Sequence, residues 1–261
     1  MNYQVIIGFG LVFVAWFFII TLFVRNTLLI RRTNVLPINS ADDNISTSRI
    51  QEIISKAKMY FNISHVNVIY AESNNISLMH SYDRKNNKLL IPKILFSSVG
   101  YEIDWILGYM WYASKIIHKN KQFILYNSIY KFIIPILFSL LLIVSGIAII
   151  IVGFYISNPS FYADSDELQF LFKYQVFSII SLILCMIYFL LVVAPVNWKE
   201  NMEFNFESEI RTFINNVLSD FKTDFIAARQ FAHEIKQFYL PSFIKTNKVS
   251  DYKYLGVFSF H

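Results

Sequence analysis

The 261-residue chain has one cysteine, seven glycines and six prolines, and only 16% of its residues are charged. The lone Cys185 cannot close a disulfide within the chain or supply a multi-cysteine zinc site. There is no glycine-rich phosphate loop and no Gly-x-Ser-x-Gly elbow, since the one close glycine pair, Gly8 and Gly10, lies in an apolar run. The usual anchors of nucleotide binding and serine hydrolysis are therefore missing. Soluble domains carry roughly 25% charged residues. A chain that is 55% hydrophobic and 18% aromatic cannot cover its apolar mass with so little charge and stay in water, and the same composition excludes a disordered chain. The sequence predicts a membrane protein.

Three stretches contain no charged side chain: Val5 to Val24, Phe132 to Ile156 and Val176 to Val196. About 20 helical residues cover the roughly 30 Å hydrocarbon slab, so each reads as a transmembrane helix. No Lys or Arg precedes the first, whereas Arg25, Arg31 and Arg32 follow it; it reads as an uncleaved signal anchor with its amino-terminal end outside. Basic residues sort accordingly. Arg25–Lys131 holds 14 Lys+Arg against 7 Asp+Glu, Ser157–Gln175 holds 1 against 3, and Asn197–His261 holds 8 against 8. The first and third segments are predicted to face the cytoplasm, and the net charge of +5 records topology; no dense basic stripe suited to nucleic acid is present. The expected domains are 1–32 (signal anchor), 33–131 (cytoplasmic unit with an interfacial helix), 132–196 (transmembrane hairpin) and 197–261 (cytoplasmic helix and tail).

Within the second segment, Ser48 and Gln51 stand three apart ahead of Ile50, Ile53, Ile54, Ala57, Tyr60 and Phe61, the pattern of a capped amphipathic helix ending near Asn62. Val66–Ala71 and Lys88–Ile91 read as two short strands joined through a turn at Asn86-Asn87, giving an α-β-β unit. Tyr101–His118 is apolar on every face, the pattern of a helix that is buried or partly in lipid, and Trp105, Tyr109, Trp111 and Tyr112 suit a membrane interface. After the third span, Phe206, Ile210, Phe213, Val217, Phe221 and Phe225 recur at steps of three and four until Pro241, predicting one long amphipathic helix whose stripe needs a partner: the α-β-β unit, the membrane surface or another protein. The last twenty residues carry no strong signal.

The histidines, His65, His80, His118, His233 and His261, are scattered, and His233-Glu234 lacks its second ligand because position 237 is Gln237. Asn44, Asn62 and Asn75 begin Asn-x-Ser sequons on the predicted cytoplasmic side, where glycosylation does not occur. The three spans hold no charged residue of the kind that marks a transport pathway.

The order of elements resembles the YugP-type membrane-bound zinc metallopeptidases of bacteria: an amino-terminal span, an α-β-β unit, a helix carrying H-E-x-x-H, two further spans, and a Pro-Val-Glu-Phe-Asn-like segment opening a last helix. Thr47–Phe61 stands where that family's first cytoplasmic helix begins. Ser81-Tyr82-Asp83 with Lys88-Leu89-Leu90 is similar to its turn and following strand, and Trp105-Ile106-Leu107-Gly108 to the run leading into the zinc helix. With Gly108 as the anchor, the motif falls on Tyr112-Ala113-Ser114-Lys115-Ile116, so both histidines and the general-base Glu are replaced at Tyr112, Ala113 and Ile116. The third ligand, a Glu, corresponds either to Asn197, directly after Pro195-Val196, or to Glu203 of Glu203-Phe204-Asn205, the better match. Zinc catalysis needs three protein ligands, an open position and a carboxylate base, none of which Tyr112, Ala113 and Ile116 supply.

The resemblance thus implies a pseudoprotease without zinc or other cofactor, acting in the bacterial inner membrane as a scaffold, adaptor or subunit. Its partners are the bilayer and another membrane protein or a second copy of itself. The expected binding residues are Trp105, Tyr109, Trp111 and Tyr112 together with Phe206, Ile210, Phe213, Val217 and Phe221. Two alternatives stand beside it: an active endopeptidase with a relocated zinc site drawing on His80, His118 or Glu203, and an accessory subunit of a transporter or secretion assembly.

Overall fold

The computed structural model describes residues 3–32, 45–71, 78–92, 98–158, 160, 166–193, 196–234 and 256–259. It is mainly helical, with one small sheet and three helices long and apolar enough to cross a membrane. The chain divides into two units, Met1–Leu28 with Ser128–Ala194, and Leu29–Asn127 with Pro195–His261. The second unit thus draws on both of the segments expected as 33–131 and 197–261.

In the first unit, α1 (Tyr3–Arg32), α5 (Ile134–Ser157) and α7 (Val176–Val193) are the long apolar helices, and α6 (Asp166–Lys173) is short. Many of their apolar side chains point outward: Phe13, Ile150 and Leu190 are each more than half exposed. Small and polar groups lie between the helices. Ser145 and Ser181 bond at 2.8 Å, Cys185 Sγ donates to the Ala15 carbonyl at 3.1 Å, and the Gln175 amide donates to the Gln4 carbonyl at 3.0 Å. Val5, Val152 and Phe172 form an apolar cluster, where Tyr155 stacks on Phe172 at 3.9 Å. Ahead of α5, Ile129–Ile133 is a π-helical turn. Pro135 explains it: proline has no N–H for the carbonyl four residues back and its ring crowds that carbonyl, which a wider turn accommodates.

The second unit begins with α2 (Thr47–Tyr60). Its cap is Ser46 rather than Ser48: the Ser46 Oγ accepts the Arg49 N–H at 3.3 Å. The helix ends as expected near Asn62, whose φ of 56° lets the Ile63 N–H reach back to the Lys58 carbonyl at 2.9 Å. The sheet departs from the expected strand pair. It has three strands, β1 (Asn67–Ala71), β2 (Tyr82–Asp83) and β3 (Lys88–Pro92), in the order β1-β3-β2. The hairpin at Asn86-Asn87 joins β2 to β3, with Tyr82 opposite Leu89, whereas β1 pairs with β3 in parallel, Val68 beside Leu89. Asp83 holds that turn, its carboxylate accepting the Lys85 N–H at 2.9 Å and the Asn86 amide at 2.6 Å. Those bonds keep the Asp83 carboxyl below its usual range.

Next come α3 (Val99–Ile117) and α4 (Lys121–Ser128). The single long carboxy-terminal helix of the sequence reading is in fact two, α8 (Val196–Val217) and α9 (Lys222–Glu234), separated by a 3-10 turn at Ser219–Phe221. Phe213, Val217, Phe221 and Phe225 keep a four-residue step across the break, which is why the pattern looked continuous. Its expected end at Pro241 lies outside the described residues, as do Asn44, Asn75 and His261. A short 3-10 turn, Val257–Ser259, completes the unit.

Candidate functional site

The centre of the second unit is α3. Ser98 caps it, the Oγ accepting the Gly100 N–H at 3.2 Å, and every residue from Val99 to Ser114 is buried. The expectation of an interfacial helix gives way to a core helix, packed by α2, α9, β3 and the 257–259 turn. Trp105 is bound into that core by an Nε1–H donated to the Pro92 carbonyl at 2.8 Å.

One face of α3 carries Asp104, Gly108, Trp111 and Lys115, spaced by four, three and four residues so that they line one side of the helix. Each meets a different group. Asp104 Oδ1 accepts from Arg229 of α9 at 3.2 Å. Gly108 lies under Val257, and a Cβ at that position would stand 2.8 Å from Val257 Cγ2. The Trp111 indole donates to Glu209 of α8 at 2.8 Å, and its ring meets Phe206 and Phe258 edge-on, each at 5.4 Å. Lys115 pairs with Glu209 at 2.6 Å.

The most unusual feature on this face is ionic. Arg229 bridges Asp104 and Glu203, and all three side chains are at most 3% exposed. One guanidinium nitrogen donates to Asp104; the other donates to the Glu203 carboxylate and, at 3.3 Å, to the Glu203 carbonyl. The guanidinium also sits 5.0 Å over the Phe206 ring. Desolvating an ion costs several kcal/mol, and this arrangement offsets the cost through a fork of donors shared by carboxylates from two helices. Chemically, the guanidinium holds the position a cation would take between Asp104 and Glu203. A carboxylate engaged in this way is a poor metal ligand.

The sequence-predicted residues are placed as follows. Tyr112 packs on Phe123 of α4 with ring centroids 5.8 Å apart, and Ala113 and Ile116 are buried. Tyr112 and Ile116 each follow a residue of the Asp104–Lys115 face by one position, about 100° round the helix; that face, not theirs, is directed at Glu203 and Glu209. Glu203 is brought together with Asp104 through Arg229. His118 lies 3.1 Å from the Phe61 carbonyl, and His80 is exposed. Among the described residues, no three His, Cys, Asp or Glu side chains converge as a metal-ligand group.

Of the nine residues expected to bind a partner, Trp105, Tyr109, Trp111, Tyr112, Phe206, Ile210 and Phe213 are buried, while Val217 and Phe221 are half-buried. Their apolar stripe is covered within the chain itself: Phe213, for example, meets Tyr60 at 5.1 Å and Phe61 at 6.5 Å. Burial drives the phenol of Tyr109 well above its usual range and that of Tyr101 up to about 12.

Two features escaped the sequence reading. Arg229 had a legible signal, because Phe225, Ala228 and Ala232 are buried at steps that place position 229 on the same stripe, so a charge there demands a buried partner. Gly256–Phe258 had none, being three residues without periodicity. The chain matches no family model, and neither a curated protein nor a solved structure matches it.

Proposed function

We propose that this chain is a catalytically silent membrane protein built on a metallopeptidase-like plan, acting by binding as a scaffold, adaptor or subunit of a membrane complex. The observation that carries the reading is the Asp104–Arg229–Glu203 cluster. The Glu that resembles the family's third zinc ligand is ion-paired with a buried arginine, and the positions that resemble the family's two histidines and glutamate hold Tyr112, Ala113 and Ile116. A tightly held guanidinium would have to leave before Glu203 served a metal.

Three apolar helices and the distribution of basic residues support a multi-pass protein of the bacterial cytoplasmic membrane, with the amino-terminal end of α1 outside and the segments Arg25–Lys131 and Asn197–His261 in the cytoplasm. The test is a protease assay on the full chain in lipid nanodiscs with zinc supplied. The expected result is no peptide hydrolysis above background. Chelator-sensitive hydrolysis that disappears in Glu203→Gln would overturn the reading.

A further inference from the structure

The Gly256–Phe258 segment is seated between α3, α8 and α9, against the functional face described above. Each residue fills a feature shaped for it. Gly256, at φ +88°, passes so close to α9 that a Cβ would stand 2.7 Å from the Ala232 Cβ and 3.4 Å from Glu203 Oε1. Val257 enters the recess left by Gly108, and both it and Phe258 are fully buried. The Phe258 ring stands on Trp111 and Phe206 at 70° and 79°, the edge-to-face geometry aromatic pairs favour.

The walls of this slot are tied together by bonds that do not involve the occupant. α9 packs directly on α3, Arg229 joins Asp104 to Glu203, and Trp111 and Lys115 both bond Glu209. A slot whose walls are fixed independently, and whose filling is a three-residue stretch inserted by its side chains, has the construction of a pre-formed ligand site. The sequence order it accepts is small, β-branched, aromatic: a small residue where the backbone grazes Ala232, a branched one over Gly108, and an aromatic one against Trp111 and Phe206.

The geometry points to this slot as a binding cleft for a short apolar peptide segment in a turn conformation, which the chain closes with its own Gly256–Phe258. The inference rests on the reading of the protein as one that acts by binding, and adds its ligand class and its regulation. A segment of the same chemistry on another polypeptide gains access by displacing the resident one, so the resident segment sets the threshold for capture.

The full chain in nanodiscs is titrated with a fluorescently labelled peptide of the sequence Leu255–His261, followed by anisotropy. Phe258→Ala and the milder Val257→Ala each weaken the resident occupant, and the melting curve of each shows whether it is folded. The expected result is that at least one folded variant binds the peptide at least tenfold more tightly than the parent chain. Adding Gly108→Leu, which fills the recess for Val257, is expected to abolish that gain, and a peptide with its first Phe changed to Ala is expected to bind none of the proteins. Equal affinity for parent and folded variants, no uptake by either, loss of fold in both, or binding untouched by Gly108→Leu overturns the proposal. Protease activity in the assay above would instead sink the silent-scaffold reading, whatever the peptide does.

Discussion

Arg229 is the buried cation that joins α3, α8 and α9. Removing one member of a buried ion cluster leaves uncompensated charge, which costs about 3–5 kcal/mol. Arg229→Met is therefore expected to destabilise the second unit by about that amount in a denaturant melt. Arg229→Lys keeps the charge but loses the fork of donors, and is expected to recover only part of the loss. Replacing all three with apolar residues of similar volume, Asp104→Leu, Glu203→Met and Arg229→Met together, is expected to cost far less than Arg229→Met alone, because nothing charged is left buried. If the single and triple variants lose equal stability, the cluster is packing and not electrostatics.

At the scale of elements, Tyr70 ties the sheet to α3, its hydroxyl donating to Glu102 at 2.7 Å. Its phenol is raised far above its usual range, first by burial, then by the bond to Glu102 and that carboxylate's charge. Tyr101, at the start of α3, is pushed up to about 12 by burial. The folded unit holds these protons where the unfolded chain releases them near pH 10. Stability is therefore full below pH 10 and falls as pH rises, through about pH 12 for Tyr101 and beyond for Tyr70. Tyr101→Phe is expected to flatten the fall between pH 10 and 12 in melts followed against pH; an unchanged slope would assign the alkaline loss to other groups. The Ser98 cap gives a simpler test of α3: Ser98→Ala is expected to cost about 1 kcal/mol in the same melts, and no loss would mean the cap bond is replaced by water.

The elements also show where sequence and structure part. The three long apolar helices were legible because hydrophobic length is a local property. The carboxy-terminal end of α2 and the turn at Asn86-Asn87 were legible because their bonds run between near neighbours, whereas the cap of α2 fell on Ser46 and not Ser48. The parallel pairing of β1 with β3 was not, since it depends on partners about twenty positions apart and on β2, a strand of two residues. The break at Ser219–Phe221 was hidden by its own phase, as the 3-10 turn returns Phe225 to the stripe of Phe213. In the candidate site, Glu203 stood out from its sequence as a residual ligand candidate or a capping or surface residue, whereas the structure buries it against Arg229, a partner distant in sequence, and Gly256–Phe258 leaves no pattern at all.

At the scale of the whole molecule, the low charged fraction has two sources, three lipid-length helices and a second unit whose central helix buries nearly all its side chains. The proposed topology puts both basic segments on one side. Single cysteines introduced on a Cys185→Ser background at Lys85 and at Ser160 are expected to differ in labelling of intact cells by an impermeant maleimide, position 160 reacting and position 85 staying protected. The reverse pattern would invert the topology. What separates a silent scaffold from a peptidase most directly is the metal content of the full chain, purified without chelator and measured by elemental analysis. Zinc well below one ion per chain is the expected result, with Arg229 still seated between Asp104 and Glu203; about one tightly bound zinc per chain, surviving dialysis, would contradict the silent-scaffold reading.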